Sequence, residues 1–292
     1  MSVDASPSGT GVDVVVVACN SGSLLEDCVA RALLAEDCAS LCLFDNASDD
    51  GWPQRVANRF SGEARFGLQV SARNLGFGSG CNRGAAQGSA PWVLFLNPDC
   101  LIEQGTLRAL LAIAVEHPDI GLLGADVRDA LGREEPAARR LAPTPMRLLR
   151  DHLPMLGRSG DGVHLSRTAD AAQYVDACSG ALMLLPRTLF ERIGRFDESF
   201  FLHGEDLDLC ARVRAAGLRV AVANEVRVTH RQGSSSHARP VFVAWHKHLG
   251  LGRFLLKHQA RSMLQRALVT LGIAASFLLR GLPKALMATS KS

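Results

Sequence analysis

Three acidic side chains lie close together in an apolar stretch of this 292-residue chain. The stretch FLHGEDLDLCAR (201–212) contains Glu205, Asp206 and Asp208, with phenylalanine and leucine residues around them. Neighbouring carboxylates repel each other, and carboxylates beside apolar groups lose hydration. A carboxylate kept at such a cost is a candidate for acid–base chemistry.

A helix beginning at Gly204 would separate these three acids. Helical spacing places Asp206 on a stripe whose other members are apolar, namely Leu209, Cys210 and Val213. Asp208 can pair with Arg212 one turn later, and Glu205 is a first-turn acid that the helix dipole favours. Burial would raise the pKa of Asp206 and a helix N-terminus would lower it, so the sequence leaves that balance open.

Polar residues also follow three apolar runs that are typical of buried strands. The runs at 13–18, 41–44 and 92–96 end in Cys19-Asn20, Asp45-Asn46 and Asn97-Pro98-Asp99. In open α/β sheets, ligands bind beyond the carboxyl ends of the strands. Asp99 is therefore placed to hold a divalent cation that carries phosphates, or else to cap the next helix. Asp45 and Asn46 would bind a nucleoside or form an ordinary turn.

Three further features each allow a functional interpretation and a structural one. The glycines of NLGFGSG (74–80) resemble a phosphate-cradling loop, although their spacing is not GxGxxG. Arg73 beside them would contact a phosphate or simply be exposed. His230 ends a predicted strand and would complete a metal site or be structural.

The elements that carry these residues alternate between strand and helix patterns, which favours an α/β fold with a parallel sheet and right-handed crossovers. Predicted strands near 66–71, 120–127, 218–222 and 226–230 complete the sheet, and predicted helices cover 52–60, 103–116 and 204–216. The stretch at about 128–170 has little periodicity, and we expect a mobile excursion there. The small polar residues 1–11 predict a disordered tail.

Charge is distributed unevenly along the chain. Residues 226–292 contain eleven Lys/Arg and no Asp or Glu, which leaves 21 basic and 29 acidic residues in 1–225, a net charge of −8. A basic end suits nucleic acid or an anionic membrane surface. The eight scattered cysteines lack zinc-site spacing, which favours reduced thiols in a cytosolic compartment.

The most apolar stretch is ALVTLGIAASFLL (267–279), followed at once by Arg280. Its thirteen residues are fewer than the about 20 that span a bilayer. Apolar and basic residues interleave over 241–264. We therefore expect 241–292 to be a basic amphipathic helical region that lies on a membrane.

Taken in order, these motifs resemble those of the inverting glycosyltransferases of family 2. The resemblance rests on VVVVACNS (14–21), DNASDDG (45–51), ARNLGFGSGCNRG (72–84), FLNPDC (95–100), and the run from CSGALMLLPR (178–187) through GRFDESFFLHGEDLDLCARVRAAG (194–217) to VTHRQGSSS (228–236). It covers about 12–236, and is strongest to the bacterial rhamnosyltransferase branch that builds cell-surface polysaccharides such as O-antigen and cell-wall polymers. It implies the GT-A (nucleotide-diphospho-sugar transferase) fold over 12–240, a Rossmann-like mixed sheet flanked by helices.

The resemblance also implies a role for each candidate residue. Asp206 of the Glu-Asp motif would be the general base, with Glu205 beside it. Asp99 would replace the last acid of an Asp-x-Asp element and hold Mg²⁺ or Mn²⁺, with His230 near the metal. The implied nucleotide-sugar-binding residues are Ala18, Cys19, Asn20, Asp45, Asn46, Arg73, Asn74, Gly76, Asn82 and Asn97. Asn97 stands where the family's first acid would be, and an amide binds a hard cation less strongly than a carboxylate does.

The implied reaction is transfer of L-rhamnose from dTDP-rhamnose, with inversion, onto a polyprenyl-diphosphate-linked or polysaccharide acceptor. The enzyme would work as a peripheral protein on the cytoplasmic face of the cell membrane, with no nucleic-acid partner. UDP-GlcNAc and UDP-galactofuranose are the alternative donors. A nucleotidyltransferase would want an early Gly-rich pyrophosphate loop, which residues 14–24 lack. A non-catalytic membrane-binding or nucleic-acid-binding module would leave the inward-facing Asp206 unexplained.

Overall fold

The structure, a computed structural model, describes residues 9–152, 163–231 and 240–289. Most of the tail expected at 1–11 lies outside these residues. The strands are β1 (Val12–Ala18), β2 (Cys38–Asp45), β3 (Phe66–Val70), β4 (Trp92–Leu96), β5 (Cys100–Leu101), β6 (Ile120–Arg128), β7 (Arg139–Arg140), β8 (Ala172–Val175), β9 (Ala177–Cys178), β10 (Leu182–Pro186) and β11 (Arg219–His230). The helices are α1 (Leu24–Leu34), α2 (Trp52–Arg59), α3 (Phe77–Ala85), α4 (Thr106–Glu116), α5 (Pro145–His152), α6 (Arg187–Arg192), α7 (Glu205–Ala215), α8 (Pro240–His258), α9 (Met263–Ser276) and α10 (Leu282–Thr289).

The main sheet is mixed, as the resemblance implies. Its strand order is β3-β2-β1-β4-β10-β6-β11-β5, with β8 also paired to β11. Strands β1 to β4 pair in parallel, whereas β10 runs antiparallel to both β4 and β6. The expectation of a parallel sheet is therefore correct for β1 to β4 and for the β6–β11 pair, while β10 joins these two parts by antiparallel pairing. Because β10 enters the sheet from the carboxyl edge of β4, the residues just before it join the polar strand ends.

Helix α3 packs unusually close to β1, and its glycines make this possible. An added Cβ at Gly84 would lie 2.4 Å from Val15 Cγ1, and one at Gly80 would lie 2.8 Å from Val17 Cγ1. Gly80 and Gly84 belong to the helix itself and not to a loop. Of the NLGFGSG glycines, Gly78 and Gly80 thus lie in a helix and not in a loop; Gly80 is required by the contact with β1, and an added Cβ at Gly78 would lie 3.1 Å from Phe196 Cβ.

Part of the segment at 128–170, where we expect a mobile excursion, packs against the sheet. Arg139 in β7 is 2% exposed; its Nη2 lies 2.7 Å from Asp126 Oδ1 and 2.6 Å from Asn224 Oδ1. Strand β7 also pairs with β9. These contacts join positions distant in sequence, so no local periodicity predicts them.

Strand β11 replaces the two strands expected at 218–222 and 226–230. It runs without a break from Arg219 to His230, with a register irregularity between Ala223 and Arg227 opposite β6. Its last residues pair with β5, where His230 lies opposite Cys100. The longer strand thus carries His230 to the carboxyl end of β4, beside Asp99.

The C-terminal region forms an antiparallel helical hairpin. The rings of Trp245 and Phe277 are 4.9 Å apart, and an added Cβ at Gly252 would lie 3.4 Å from Ile273. Helix α9 continues through a π-helical turn (Phe277–Gly281) into α10. The stretch Met263–Met287 covers 25 residues and contains an 18-residue window with a mean hydropathy of 1.3, so its length and composition would allow it to cross a membrane. The apolar helix is therefore longer than the thirteen residues we expected.

Candidate active site

The turns after β1, β2 and β3 are joined by one buried asparagine. Asn46 donates through Nδ2 to Asn74 Oδ1 at 3.0 Å and to the carbonyl of Gly76 at 3.1 Å. Its Oδ1 accepts the N–H of Leu75 at 2.8 Å. Asn74 also donates to Cys19 Sγ at 3.2 Å. Asn46 therefore shapes the edge of the cleft through its neighbours, because its amide is already used in these bonds.

Asp45 and Asn20 shape the adjoining turn. Asp45 lies beside Ala18 in the β1–β2 register and is buried, and its Oδ1 accepts the N–H of Ser48 at 2.8 Å. Asn20 Oδ1 accepts the N–H of Asp49 at 2.8 Å, and its φ of +54° is one that asparagine adopts more readily than most residues. Asp45 thus makes the contact of a turn former, as one of its two interpretations expects, and Asn20 holds the same turn through Asp49.

Two other predicted nucleotide-binding residues differ in their placement. Arg73 is exposed beside the 74–76 turn. Asn82 lies within α3 and is buried; it donates to the carbonyl of Phe196 at 3.0 Å and accepts the N–H of Phe196 at 2.9 Å. A further bond runs from its Nδ2 to Glu198 Oε1 at 3.1 Å. The amide of Asn82 thus fixes the 196–198 loop, and its role in nucleotide binding stays a prediction.

Asp99 and His230 meet at the carboxyl end of β4. Asp99 Oδ1 lies 3.0 Å from His230 Nε2, and His230 Nδ1 lies 2.9 Å from Glu135 Oε1. Burial alone would lower the pKa of His230, but the hydrogen bonds with Asp99 and Glu135 raise it to about 10. Glu135 comes from the segment that we expected to be mobile, and the sequence reasoning missed it.

The donor atoms at this place fit a divalent cation. Carboxylate oxygen and neutral imidazole nitrogen both suit Mn²⁺, so a bound cation would displace the proton that His230 otherwise holds, and few protein ligands leave positions for diphosphate oxygens. The Glu135 bond to His230 would orient the ring, as carboxylates commonly do for metal-binding histidines. Cys100 completes a group of three side chains within 4.8 Å, but burial raises its pKa well above the usual value, so it stays a neutral thiol. Asn97 is half-buried beside them.

Asp206 lies in the first turn of α7 and forms a short ion pair with Arg140. Arg140 Nη2 is 2.5 Å from Asp206 Oδ2 and 2.6 Å from the carbonyl of Cys178. Burial alone would raise the pKa of Asp206, but Arg140 and the N–H of Leu207 outweigh it, and the pKa lies below its usual value. This settles the balance that the sequence left open, through a partner that the sequence did not reveal.

The pKa of Glu205 is shifted in the direction opposite to that of Asp206. Its side chain is buried, and its Oε2 has no hydrogen-bond partner among the described residues. Burial, together with the nearby charge of Asp206, raises the pKa of Glu205 to about 8. Two adjacent carboxyl groups thus have pKa values that are pushed apart, and only Asp206 is a carboxylate throughout the neutral range.

The loop before α7 holds a half-buried histidine in a strained backbone. His203 has φ +64°, and Gly204 after it has φ +91°. Burial and then the charge of Lys247 lower the pKa of His203 to about 4, so the ring is neutral beside Asp206. Strained backbone of this kind is concentrated at functional sites.

Close contacts connect Asp206 to both polar clusters. An added Cβ at Gly180 would lie 3.3 Å from Asp206 Cβ, and the carbonyl of the next residue, Ala181, accepts the N–H of Asn97 at 2.9 Å. On the other side, the carbonyl of Phe201 accepts the N–H of Phe77 at 3.0 Å. Short chains of contacts therefore link the candidate base to the candidate metal ligands on one side and to the 74–76 turn on the other.

Comparison with known proteins places these residues in a family. The sequence matches the family described as glycosyltransferase like family 2 over residues 8–241. It is 32% identical over 255 residues to the N-acetylglucosaminyl-diphospho-decaprenol L-rhamnosyltransferase of Mycobacterium tuberculosis, covering 80% of this chain and 81% of that protein. A shorter match, 33% identical over 75 residues, covers 25% of this chain and 28% of rhamnosyltransferase WbbL of Escherichia coli.

A solved structure shares the fold. The mannosyltransferase PcManGT of Pyrobaculum calidifontis, in complex with GDP-Man and Mn²⁺, superposes with a TM-score of 0.59 at 18% identity. The match covers 96% of this chain and 74% of that one. The GT-A fold implied by the sequence is thereby confirmed.

Proposed function

Because this chain belongs to glycosyltransferase family 2 and is a hexosyltransferase, we propose that it transfers L-rhamnose from dTDP-rhamnose to a sugar linked to polyprenyl diphosphate. The observation that carries this proposal is the match to the mycobacterial L-rhamnosyltransferase, whose name specifies an N-acetylglucosaminyl-diphospho-decaprenol acceptor. The family match over residues 8–241 includes both polar clusters and helix α7.

In the proposed mechanism, Asp206 accepts the proton of the acceptor hydroxyl as that oxygen attacks the anomeric carbon. The Arg140 ion pair fixes the carboxylate and keeps it ionised, while Glu205 remains protonated and does not compete as a base. Attack occurs opposite the leaving nucleotide, so the anomeric configuration inverts. One bond forms between the anomeric carbon and the acceptor oxygen, and one bond breaks between the anomeric carbon and the diphosphate oxygen.

Asp99 and His230 would hold Mg²⁺ or Mn²⁺ on the donor diphosphate. Such a cation supplies positive charge that offsets the charge developing on the leaving diphosphate. Asp45, Asn20 and Cys19 border the side where the nucleoside would lie. Asn46 and Asn74 act on that side mainly by holding the turn in place.

The C-terminal hairpin gives the proposed enzyme a route to a lipid-linked acceptor. Several leucines on α9 and the following turn are more than half exposed: Leu264, Leu268, Leu271, Leu278 and Leu279. An exposed apolar face of this size is typical of a membrane or protein contact. We propose that this face rests on the cytoplasmic leaflet as a peripheral attachment, with Arg261 and Arg280 near the lipid headgroups.

A transfer assay tests the proposed function. The purified full chain is incubated with Mg²⁺ or Mn²⁺, a GlcNAc-diphosphate-polyprenol acceptor in vesicles, and one of dTDP-rhamnose, UDP-GlcNAc or UDP-galactofuranose. We expect a disaccharide product only in the reaction that contains dTDP-rhamnose. The carbon–proton coupling constant at the anomeric carbon of the transferred sugar should show the inverted configuration. Transfer from a UDP-sugar and not from dTDP-rhamnose would contradict the proposed donor.

A further inference from the structure

The loop at 200–204 joins three parts of the molecule. Its Phe201 carbonyl bonds the N–H of Phe77 at the start of α3, next to the 74–76 turn. Its last residue, Gly204, is the N-cap of the catalytic helix α7. Helix α8 of the C-terminal hairpin lies against the same loop, where the ring of His246 is 4.9 Å from that of Phe201. The cleft and the hairpin are therefore direct neighbours.

The contact between this loop and α8 is backbone against backbone. An added Cβ at Gly250 would lie 2.0 Å from the carbonyl oxygen of His203, and one at Gly204 would lie 2.9 Å from the carbonyl oxygen of Gly250. Only glycine fits at both positions, so no flexible side chain separates the two segments. Closely packed interiors transmit displacements, and a shift of α8 would reach the start of α7 directly.

A buried carboxylate fixes the other end of this contact. Asp208 is completely buried, and its Oδ1 lies 2.7 Å from Lys257 Nζ and 2.8 Å from His258 Nε2, both on α8. Its Oδ2 accepts a hydrogen bond from Arg212 Nε at 2.8 Å within α7. A buried charge depends strongly on its partners, and two of these three belong to the hairpin.

We propose that helix α8 sets the orientation of the catalytic helix, with Asp208 as the positioning residue through which it acts. This inference rests on the proposed function, because it takes Asp206 as the base. Asp206 and Asp208 share the first turn of α7, so a tilt of that turn moves the Asp206 carboxylate relative to the acceptor hydroxyl. A misplacement of about 1 Å can lower a rate by about 10²-fold.

Two substitutions test the proposal on the full chain. Asp208→Asn keeps the shape but removes the charge that binds Lys257 and His258, and Gly250→Ala forces the two backbones apart. For both variants we expect turnover per donor-binding site to fall about tenfold or more, with the donor Kd unchanged within about twofold. We also expect faster hydrogen–deuterium exchange at the amides of 204–208.

Matched controls are available in the same elements. Asp197→Asn removes the other carboxylate partner of Lys257, which lies 2.6 Å from its Nζ, and leaves Asp208 intact. Gly272→Ala adds a methyl group to α9 where nothing lies within 4 Å. Both controls should keep turnover and exchange near those of the unchanged chain. Lys257→Arg should retain turnover, whereas Lys257→Met should lower it.

The outcomes separate positioning from simple stability. If Asp208→Asn and Gly250→Ala lower Tm and the number of donor-binding sites but leave turnover per site unchanged, the positioning role is overturned. Failure of the proposed function would look different, since the unchanged chain would then transfer no sugar. Exchange at 204–208 would still test the proposal in that case: an increase in the two variants supports it, and no increase overturns it.

Discussion

Arg140 Nη2 lies 2.5 Å from Asp206 Oδ2, so the proposed base is paired with a guanidinium that precedes it by 66 residues in the sequence. The two side chains belong to different elements, since Arg140 lies in β7 and Asp206 lies in α7. This ion pair fixes the direction of the carboxylate and holds its pKa below the usual value.

Replacing Arg140 by glutamine should shift the pH dependence of transfer. Without the guanidinium, burial is no longer opposed and the pKa of Asp206 rises. The base then becomes protonated at a higher pH, so the acidic limb of the kcat/KM profile should move to higher pH and the plateau should fall. Arg147→Gln, which breaks a half-exposed pair with Asp176 in the same segment, is the control and should leave the limb in place. An unmoved limb in Arg140→Gln would mean that the pair does not tune the base.

Asp206→Asn should abolish transfer while donor binding persists. General-base catalysis contributes about 10²- to 10⁴-fold to a rate. The turnover of the variant should therefore be lower than that of the unchanged chain by at least about 10²-fold. The variant should also lose stability, because it leaves the buried Arg140 without its charge partner, at a cost of about 3–5 kcal/mol. Turnover is therefore measured per donor-binding site, by calorimetry and a radiolabel assay.

The double variant Asp206→Asn with Arg140→Gln is the control for that loss of stability. Removing both charges should restore much of the Tm but none of the transfer. Recovery of turnover together with Tm would show that Asp206 is structural and would remove it as the base.

Glu205→Gln should change the pH dependence of stability. Burial raises the pKa of Glu205 from 4.5 to about 8, so the folded state favours its neutral form. The corresponding stability is fully present below pH 4.5 and is lost as the pH rises towards 8. Tm of the unchanged chain should therefore fall, relative to that of Glu205→Gln, between pH 5 and pH 9. The control is Glu191→Gln, which removes a half-exposed ion pair with Arg195. Its Tm should differ from that of the unchanged chain by the same amount at every pH in this range.

Removal of divalent ions should stop transfer, and graded substitutions should locate the ligands. Asp99→Asn and His230→Gln should each weaken Mn²⁺ binding, measured by calorimetry in the presence of donor. Glu135→Gln removes only the negative charge of the outer partner of His230, and changes to such partners typically cost about 10- to 100-fold in metal affinity. Full activity in excess EDTA would exclude the metal role of Asp99.

Replacing exposed leucines of α9 and the following turn should release the protein from vesicles. Full burial of one leucine is worth about 1.5–3 kcal/mol, so changing Leu268, Leu271 and Leu278 to serine should lower partitioning by about 10²-fold or more. The control changes exposed apolar residues elsewhere to serine, namely Leu34, Val115 and Leu131. Deletion of 241–292 is a poorer test, because α8 also packs on the catalytic helix. Unchanged vesicle recovery in the leucine variant would remove this face as the membrane contact.

Sequence patterns predicted the parts of this site that depend on local periodicity. The strand ends at Asp45 and Asp99 and the helix carrying Asp206 were all expected from runs of apolar residues. Arg140 and Glu135 were not expected, because a two-residue strand and its flanking turn have no period to detect. Asn82 was assigned to the nucleotide site from its motif, yet its amide is used within the fold.

The backbone contact at Gly204 and Gly250 also has a geometric consequence for substrate choice. If the hairpin lies on a bilayer, the reactive carboxylate stands at a fixed height above the lipid headgroups, set by packed helices about 10 Å in diameter. An acceptor hydroxyl must stand at that same height to react. The number of sugars between the diphosphate and the hydroxyl would then decide whether an acceptor reacts, in addition to the identity of those sugars.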